Sequence, residues 1–232
     1  MRFLGRLGSA AAVAALTVGF VAPTAVAGGT TTSYDINSAS SLTVVVNKHR
    51  PLDPPSYVPK PLTRIKTEQL RTDAAQAYQQ MVKEAKADRV NIVAISGYRS
   101  YDHQASLYDS YVQQYGQETA DTIAARPGHS EHQTGLAMDV GNASGACALQ
   151  DCFDETPVGA WVAKYAHEHG FIIRYPEDEQ GITGYNYEPW HLRYVGVPLA
   201  ADIQEGAVPG ETDDTDTMEE FFKLAPAPDY LY

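Results

Sequence analysis

The chain is poor in cysteine: Cys147 and Cys152 are its only two. A cysteine-based zinc site needs more ligands at matching spacing than Cys147-Ala148-Leu149-Gln150-Asp151-Cys152 offers. Basic residues are also scarce, with 17 Lys and Arg against 29 Asp and Glu and a formal net charge of −12 at pH 7. Such a chain has no electrostatic footprint for nucleic acid or for an anionic membrane surface. Beyond the first 27 residues, no segment is apolar and long enough to span a bilayer. There is no internal repeat and no sign of a second domain.

The one long apolar run lies at the start. Arg2 and Arg6 form a basic n-region, residues 7–21 are apolar or small without a charge, and Ala25-Val26-Ala27 offers an A-x-A cleavage site. That is the layout of a secretory signal peptide. An uncleaved anchor is the alternative, but the run is shorter than the ~20 residues a spanning helix needs, and no cysteine follows it to carry a lipid. Residues 1–27 are therefore read as a signal peptide and the chain as exported. Losing Arg2 and Arg6 leaves 15 of the 17 basic residues against 29 acidic ones, a formal charge of −14. The remaining 205 residues (232 less 27) suffice for one well-filled domain, expected to be soluble and monomeric. In an exported protein, Cys147 and Cys152 read as a disulfide closing a small loop.

Residues 28–41 are rich in Gly, Thr and Ser and read as a disordered lead-in. Leu42-Thr43-Val44-Val45-Val46 is apolar and β-branched and predicts a short strand. Pro51, Pro54, Pro55, Pro59 and Pro61 predict an extended wrap over the surface. Over 67–87, Leu70, Ala74, Ala77, Tyr78, Met81 and Ala85 recur at three- and four-residue steps, which predicts a helix with Thr67 as its N-cap. Further helices are predicted at 102–115 and 117–125, separated at Gly116, and at 158–169, stopped by Gly170. Strands are predicted at 91–95, 136–140, 171–175 and 191–195, with the cysteine loop at 141–156 and a polar loop at 177–187. The domain reaches to about residue 200. After it, the acidic stretch 211–216 reads as a solvated connection to a short helix around 218–224 and a tail. Helices early and strands late, without βαβ alternation, point to an α+β fold with a central, mainly antiparallel sheet flanked by helices.

The chemistry lies in two short motifs. His132 and Asp139 flank Gly135, and Glu188 and His191 flank Pro189-Trp190. Two histidines and one carboxylate form the ligand set of a catalytic zinc, which keeps a position for water. The remaining carboxylate is then free to act as base. His132 and Asp139 differ by an odd number, so on one straight strand they would face opposite sides. The chain must turn between them, and Gly135 is where it can. Pro189 biases Glu188 towards an extended conformation, which lets Glu188 and His191 converge. His132, Asp139 and His191 are assigned as ligands of one Zn2+ ion and Glu188 as general base. A lone histidine is more often a satisfied polar residue, but four such residues in two compact motifs weigh the other way. His167-Glu168-His169 is set aside, because histidines two apart do not share a helical face. His129 is a candidate for hydrogen bonding around the ligands, while His49 and His103 carry no usable signal.

Ser130-x-His132-x-x-Gly135-x-Ala137-x-Asp139 followed by Glu188-x-x-His191 resembles the signature of the VanY-type D-alanyl-D-alanine carboxypeptidases. Those share a wider fold superfamily with lysostaphin-type peptidases and the hedgehog signalling domain. Ser96-Gly97-Tyr98-Arg99-Ser100 with Gln104, and Asn47-Lys48 followed by Pro51-Leu52, match the same family. The likeness runs over about 42–197, weakening through the cysteine loop, and Met218-Glu219-Glu220-Phe221 resembles the family's closing helix. The resemblance implies one zinc ion, the roles assigned above, and peptidoglycan stem peptides that lose a C-terminal D-alanine. It also implies that Arg99 stabilises the transition-state charge or orients the substrate. A cationic fork suits an oxyanion or a terminal carboxylate, with a surface ion pair as the plainer alternative. Ser130 is a candidate for the substrate carboxylate, or else a turn-maker, and Gln104 and Tyr98 are further substrate-binding candidates. Trp190 is expected to pack beneath the site. L,D-carboxypeptidase or endopeptidase action, or a non-catalytic wall-binding module with a structural zinc, are the competing readings.

Overall fold

The computed structural model describes residues 33–206 and 216–231. The expected signal peptide and residues 211–215 of the acidic stretch lie outside the described residues. In chain order the elements are β1 (Leu62–Ile65), β2 (Glu68–Arg71), α1 (Thr72–Ala87), β3 (Ile92–Ser96), α2 (Tyr101–Tyr115), α3 (Gln117–Ile123), β4 (Ala137–Asn142), α4 (Pro157–Tyr165), β5 (Phe171–Ile173), α5 (Gln180–Thr183), β6 (His191–Tyr194), α6 (Val197–Gln204) and α7 (Met218–Phe221). The main sheet has the order β3-β4-β6-β5 and is antiparallel at every junction; β1 and β2 form a separate hairpin. This is the α+β, antiparallel arrangement that the element pattern predicts.

Alternation along the strands gives the sheet two different faces. Met138, Val140 and Leu192 belong to the main core, together with Ala74, Tyr78, Met81 and Ala85 of α1 and Trp161 and Val162 of α4. Of these, Met81, Met138, Val140, Val162 and Leu192 each contribute ~1.5–3 kcal/mol when fully buried. The opposite face carries Asp139, His191 and Arg193. Asp139 pairs with His191, and Ile172 with Arg193. Arg174 therefore lies across from His191, and its backbone N–H donates to the His191 carbonyl at 3.1 Å. This face is polar and nevertheless buried, with Arg174 and Arg193 at 0% exposure.

A β-bulge ends β3. Ala94 pairs with Val140 and Ser96 with Asp139, so two steps on β3 match one on β4. Bulges re-aim the strand that carries them, and here the chain after Ser96 turns towards Asp139. Ser100 then caps α2, its Oγ accepting from His103 N at 3.2 Å.

Several local expectations are corrected. The helix predicted from Thr67 begins at Thr72, because Glu68–Arg71 is a strand paired with Leu62–Ile65. Leu70 is buried as expected, but from a strand; a single apolar residue satisfies either period. Residues 42–46 form no strand, although Val44, Val45 and Val46 are buried. Their backbone acceptors are satisfied by side chains instead: Arg193 Nη2 donates to the carbonyls of Leu42 and Val44 at 3.0 and 2.8 Å. The lead-in expected to be loose is packed over its described part. Ala39 is buried, and Tyr34 stands edge-on to Phe221 and Phe222 at 6.0 and 5.5 Å. α6 was not anticipated, although Pro198 in its first turn and buried Leu199, Ala200 and Ile203 give it a helical signature. The predicted helix 158–169 is α4 continued by a 3₁₀ turn, Ala166–His169, and it stops at Gly170 (φ 81°) as expected.

Candidate metal centre and active-site pocket

Cross-strand neighbours have Cβ atoms ~5 Å apart, and Asp139 and His191 are such a pair. His132 arrives from a 3₁₀ turn, Glu131–Thr134, that ends at Gly135 with φ 69°. Side chains resist that left-handed conformation, and a Cβ at Gly135 would also meet Arg71 N at 3.1 Å. The turn brings the three ligand atoms within 4.8 Å of one another. His132 Nε2 is 3.3 Å from Asp139 Oδ2, and His191 Nδ1 is 3.2 Å from Asp139 Oδ1.

The protonation pattern fits a cation among these atoms. His132 Nδ1 lies 2.8 Å from the Gly97 carbonyl. A carbonyl only accepts, so Nδ1 carries the hydrogen and Nε2 turns a lone pair towards Asp139. Burial lowers the His132 pKa against the attraction of Asp139, which keeps that ring neutral. Two acceptors facing each other in a buried site repel unless a cation lies between them. Asp139 Oδ1 is buried without a hydrogen-bond partner. Burial opposes its charge, but His132 and His191 hold the Asp139 carboxyl well below the usual carboxylate range. Burial also opposes charge on His191, yet Asp139, Glu131 and Glu188 together raise it to about 10. The two histidines thus shift oppositely because His191 meets three carboxylates, whereas His132 meets one and also Arg99. The carboxylates demand a positive charge at His191 Nδ1, and two imidazole nitrogens with a carboxylate oxygen are a donor set suited to zinc.

Glu188 stands beside the ligands, its Oε2 3.5 Å from His191 Nδ1. Its N–H donates to Tyr175 O and its carbonyl accepts from His191 N, both at 3.0 Å. Burial pushes its pKa up to about 7, against His191 and Arg99 and with Asp139 and Glu131 adding to the rise. Carboxyls tuned near neutrality suit proton transfer. Arg99 is held by its neighbours: Nη1 donates to Gln104 Oε1 and Nη2 to Ser96 Oγ, both at 2.8 Å. Gln104 in turn donates to Ala125 O at 2.6 Å.

These groups open onto a pocket of about 350 Å³. Arg99, Gln104, Ser130, His132, Asp139, Glu188 and His191 all line it. Ser130 is buried and no side-chain hydrogen bond engages its hydroxyl among the described residues. Tyr98 is not among the lining residues; its backbone N–H is tied to Gln69 O at 2.7 Å. Gly97 presses so closely on that segment that a Cβ would sit 2.5 Å from Gln69 O. Trp190, expected only beneath the site, both packs on the core and lines the pocket. Cys147 and Cys152 are joined, and the loop they close contributes Leu149 and Asp151 to the pocket wall. Tyr175, Tyr185 and Tyr187 line it from the segment leading to Glu188; their only signal in the sequence is nearness to that motif. His129 does not line the pocket; its Nδ1 contacts Asn47 O at 2.8 Å. His169 of the set-aside cluster pairs with Glu84 at 3.4 Å.

Comparison with known proteins identifies the family. Residues 67–197 match the model of the family described as VanY, D-alanyl-D-alanine carboxypeptidase. The chain belongs to the VanY family. Among curated proteins it is similar to "Putative carboxypeptidase YodJ" of Bacillus subtilis (strain 168), with 40% identity over 81% of this chain and 69% of that one. Among solved structures it is similar to the LD-carboxypeptidase LdcB, with 40% identity, a TM-score of 0.72, and coverage of 81% of this chain and 88% of the other. It is also similar to a vancomycin-resistance D,D-pentapeptidase VanY solved with Zn(II), at 31% identity and a TM-score of 0.65, over 80% of this chain and 99% of that one. As a VanY-family member, the chain is a metallo-carboxypeptidase, a hydrolase. Among the described residues, no helix is long and apolar enough to cross a membrane.

Proposed function

We propose that this protein is an exported, zinc-dependent carboxypeptidase that removes the C-terminal D-alanine from peptidoglycan stem peptides. The observation that carries this reading is the convergence of His132, Asp139 and His191 beside Glu188 and Arg99 in one pocket. His132 Nε2, an Asp139 carboxylate oxygen and His191 Nδ1 would hold the ion. Zinc in such a site acidifies a water and polarises the peptide carbonyl. Glu188 takes the proton of the attacking water and returns it to the leaving amine. Arg99, fixed by Gln104 and Ser96, offers its guanidinium to the developing oxyanion or to the substrate's terminal carboxylate. Ser130 supplies a free hydroxyl for the same carboxylate. One copy of the chain suffices, since every group named comes from a single pocket.

A second reading, L,D-carboxypeptidase action on a tetrapeptide stem, is favoured by the similarity to LdcB. Digestion of defined muropeptides, with and without chelator, separates the two. Pentapeptide shortened by one residue supports the D,D reading, and tetrapeptide shortened by one supports the L,D reading. Chelator-insensitive turnover, or no turnover of either substrate, sinks the zinc carboxypeptidase reading. Export is tested by the N-terminus of the mature protein, which is expected at Gly28.

A further inference from the structure

Glu131 lies inside the first motif, yet none of the roles above uses it. Its side chain is fully buried, as are those of Arg174 and Arg193. Oε1 accepts from Arg174 Nε at 2.8 Å and from Arg193 Nη1 at 2.6 Å. Arg174 spends its other two nitrogens on Glu219 of α7, at 2.8 and 2.6 Å. Glu219 also accepts from Asn47 Nδ2 at 2.9 Å. Two carboxylates and two guanidiniums balance, and buried charges persist only when paired in this way.

The balance leaves one atom over. Glu131 Oε2 is buried with no hydrogen-bond partner, and so is His191 Nε2. The two face each other at 3.5 Å. A network built for packing alone has no reason to keep a carboxylate oxygen unspent and aimed at an imidazole. Replacing such a network by apolar side chains is often neutral or stabilising. The other ligand ring, His132, has its outer nitrogen bound to the Gly97 carbonyl. A histidine that ligates through one nitrogen normally donates from the other to a carbonyl or carboxylate, which fixes its tautomer and plane.

We propose that Glu131 is the positioning residue for His191: its Oε2 accepts the Nε2 hydrogen and so commits Nδ1 to the metal. Arg174 and Arg193 hold Glu131 in place directly, on the polar face of the sheet that the segment 42–47 and α7 cover. This rests on the reading of His132, Asp139 and His191 as a zinc site.

The test is the zinc affinity of the metal-stripped protein, measured by competition with a chromophoric chelator, for the parent, Glu131→Gln and Glu219→Gln. Both substitutions break the same buried network, but only the first touches His191. Glu131→Gln is expected to weaken zinc binding by ~10–100-fold. Glu219→Gln is expected to lower the Tm while leaving the affinity within about threefold of the parent, the margin we allow for an indirect effect through Arg174. Equal losses in both variants, or none in Glu131→Gln, overturn the inference. A parent that binds no zinc overturns the metal reading itself. Should Glu131→Gln fail to fold, nitrogen-15 histidine spectra of the zinc-loaded parent decide instead. A protonated Nε2 on His191 supports the role of Glu131; an Nε2 without hydrogen refutes it.

Discussion

Replacing Glu188 by Gln isolates the proton-transfer step from metal binding. The side chain keeps its size, and the backbone bonds that hold residue 188, to Tyr175 O and from His191 N at 3.0 Å, are untouched. The proposed ligands His132, Asp139 and His191 remain, so zinc content should stay at the parent level. What disappears is a carboxyl whose pKa burial sets at about 7. A cation at the neighbouring ligands favours the charged form and draws that value lower, which favours an ionised base at neutral pH. Loss of a positioned general base costs ~10²–10⁴-fold in rate, or about 2.7–5.5 kcal/mol of barrier. Release of D-alanine from a stem peptide, followed at saturating substrate with zinc measured on the same sample, reads this directly. The parent's kcat/KM should rise with pH along an acid limb below 7, because Glu188 must lose its proton to act. That limb should flatten in Glu188→Gln. A zinc-replete variant turning over within tenfold of the parent would refute the assignment of Glu188 as base.

Arg99→Lys keeps the charge but not the fork that Gln104 and Ser96 orient; kcat should fall ~10²-fold with zinc content unchanged. Gly135→Ala forces a side chain into φ 69° and against Arg71 N, Leu62 and Pro59; a loss of ~2 kcal/mol or more in a urea melt is expected. In chelated protein, His191 and Glu188 both have folded-state pKa values above their ordinary ones, about 10 and about 7. Raised values give stability that is present at low pH and lost as pH rises through them. Below about pH 6.5 the lowered pKa values of His132 and His129 act in the opposite direction, so the Tm of the chelated form should fall from about pH 7 to 10, where His191 loses its proton. Zinc should flatten that slope by binding Nδ1, and should raise the Tm by mass action.

The proposed ligands and base were readable because their chemistry is local. His132, Asp139, Glu188 and His191 sit in two compact motifs around Gly135 and Pro189, and backbone rules say that those motifs bend. The pairs that hold the site in place were not readable. Arg174 and Arg193 occupy alternate positions on or beside short strands, where a polar residue ordinarily signals a solvent face. Here that face is covered by residues 42–47 and by Glu219, whose separations from their partners run from 45 to 172 positions. The same cover explains the failed strand at 42–46: apolar residues were buried as expected, but arginine side chains took the hydrogen bonds that a neighbouring strand would have supplied. The helix start shifted for a related reason, since hairpin pairing at Glu68–Arg71 outweighed a helical period.

By itself, the sequence determined the fold class, the elements from 72 to 194 to within a few residues apart from α5, which lies in the segment read as a polar loop, and the identity of the metal-binding candidates. These follow from periodicity, from glycine and proline stops, and from residue chemistry at short range. The tertiary structure alone decided that Asp139 and His191 stand opposite each other across β4 and β6, and that Arg99 is aimed by Gln104. It also decided that the cysteine loop forms part of the pocket, and that Glu131 Oε2 lies 3.5 Å from His191 Nε2. Each of those depends on strand register and on burial by distant segments, and neither quantity is written in any single stretch of the chain.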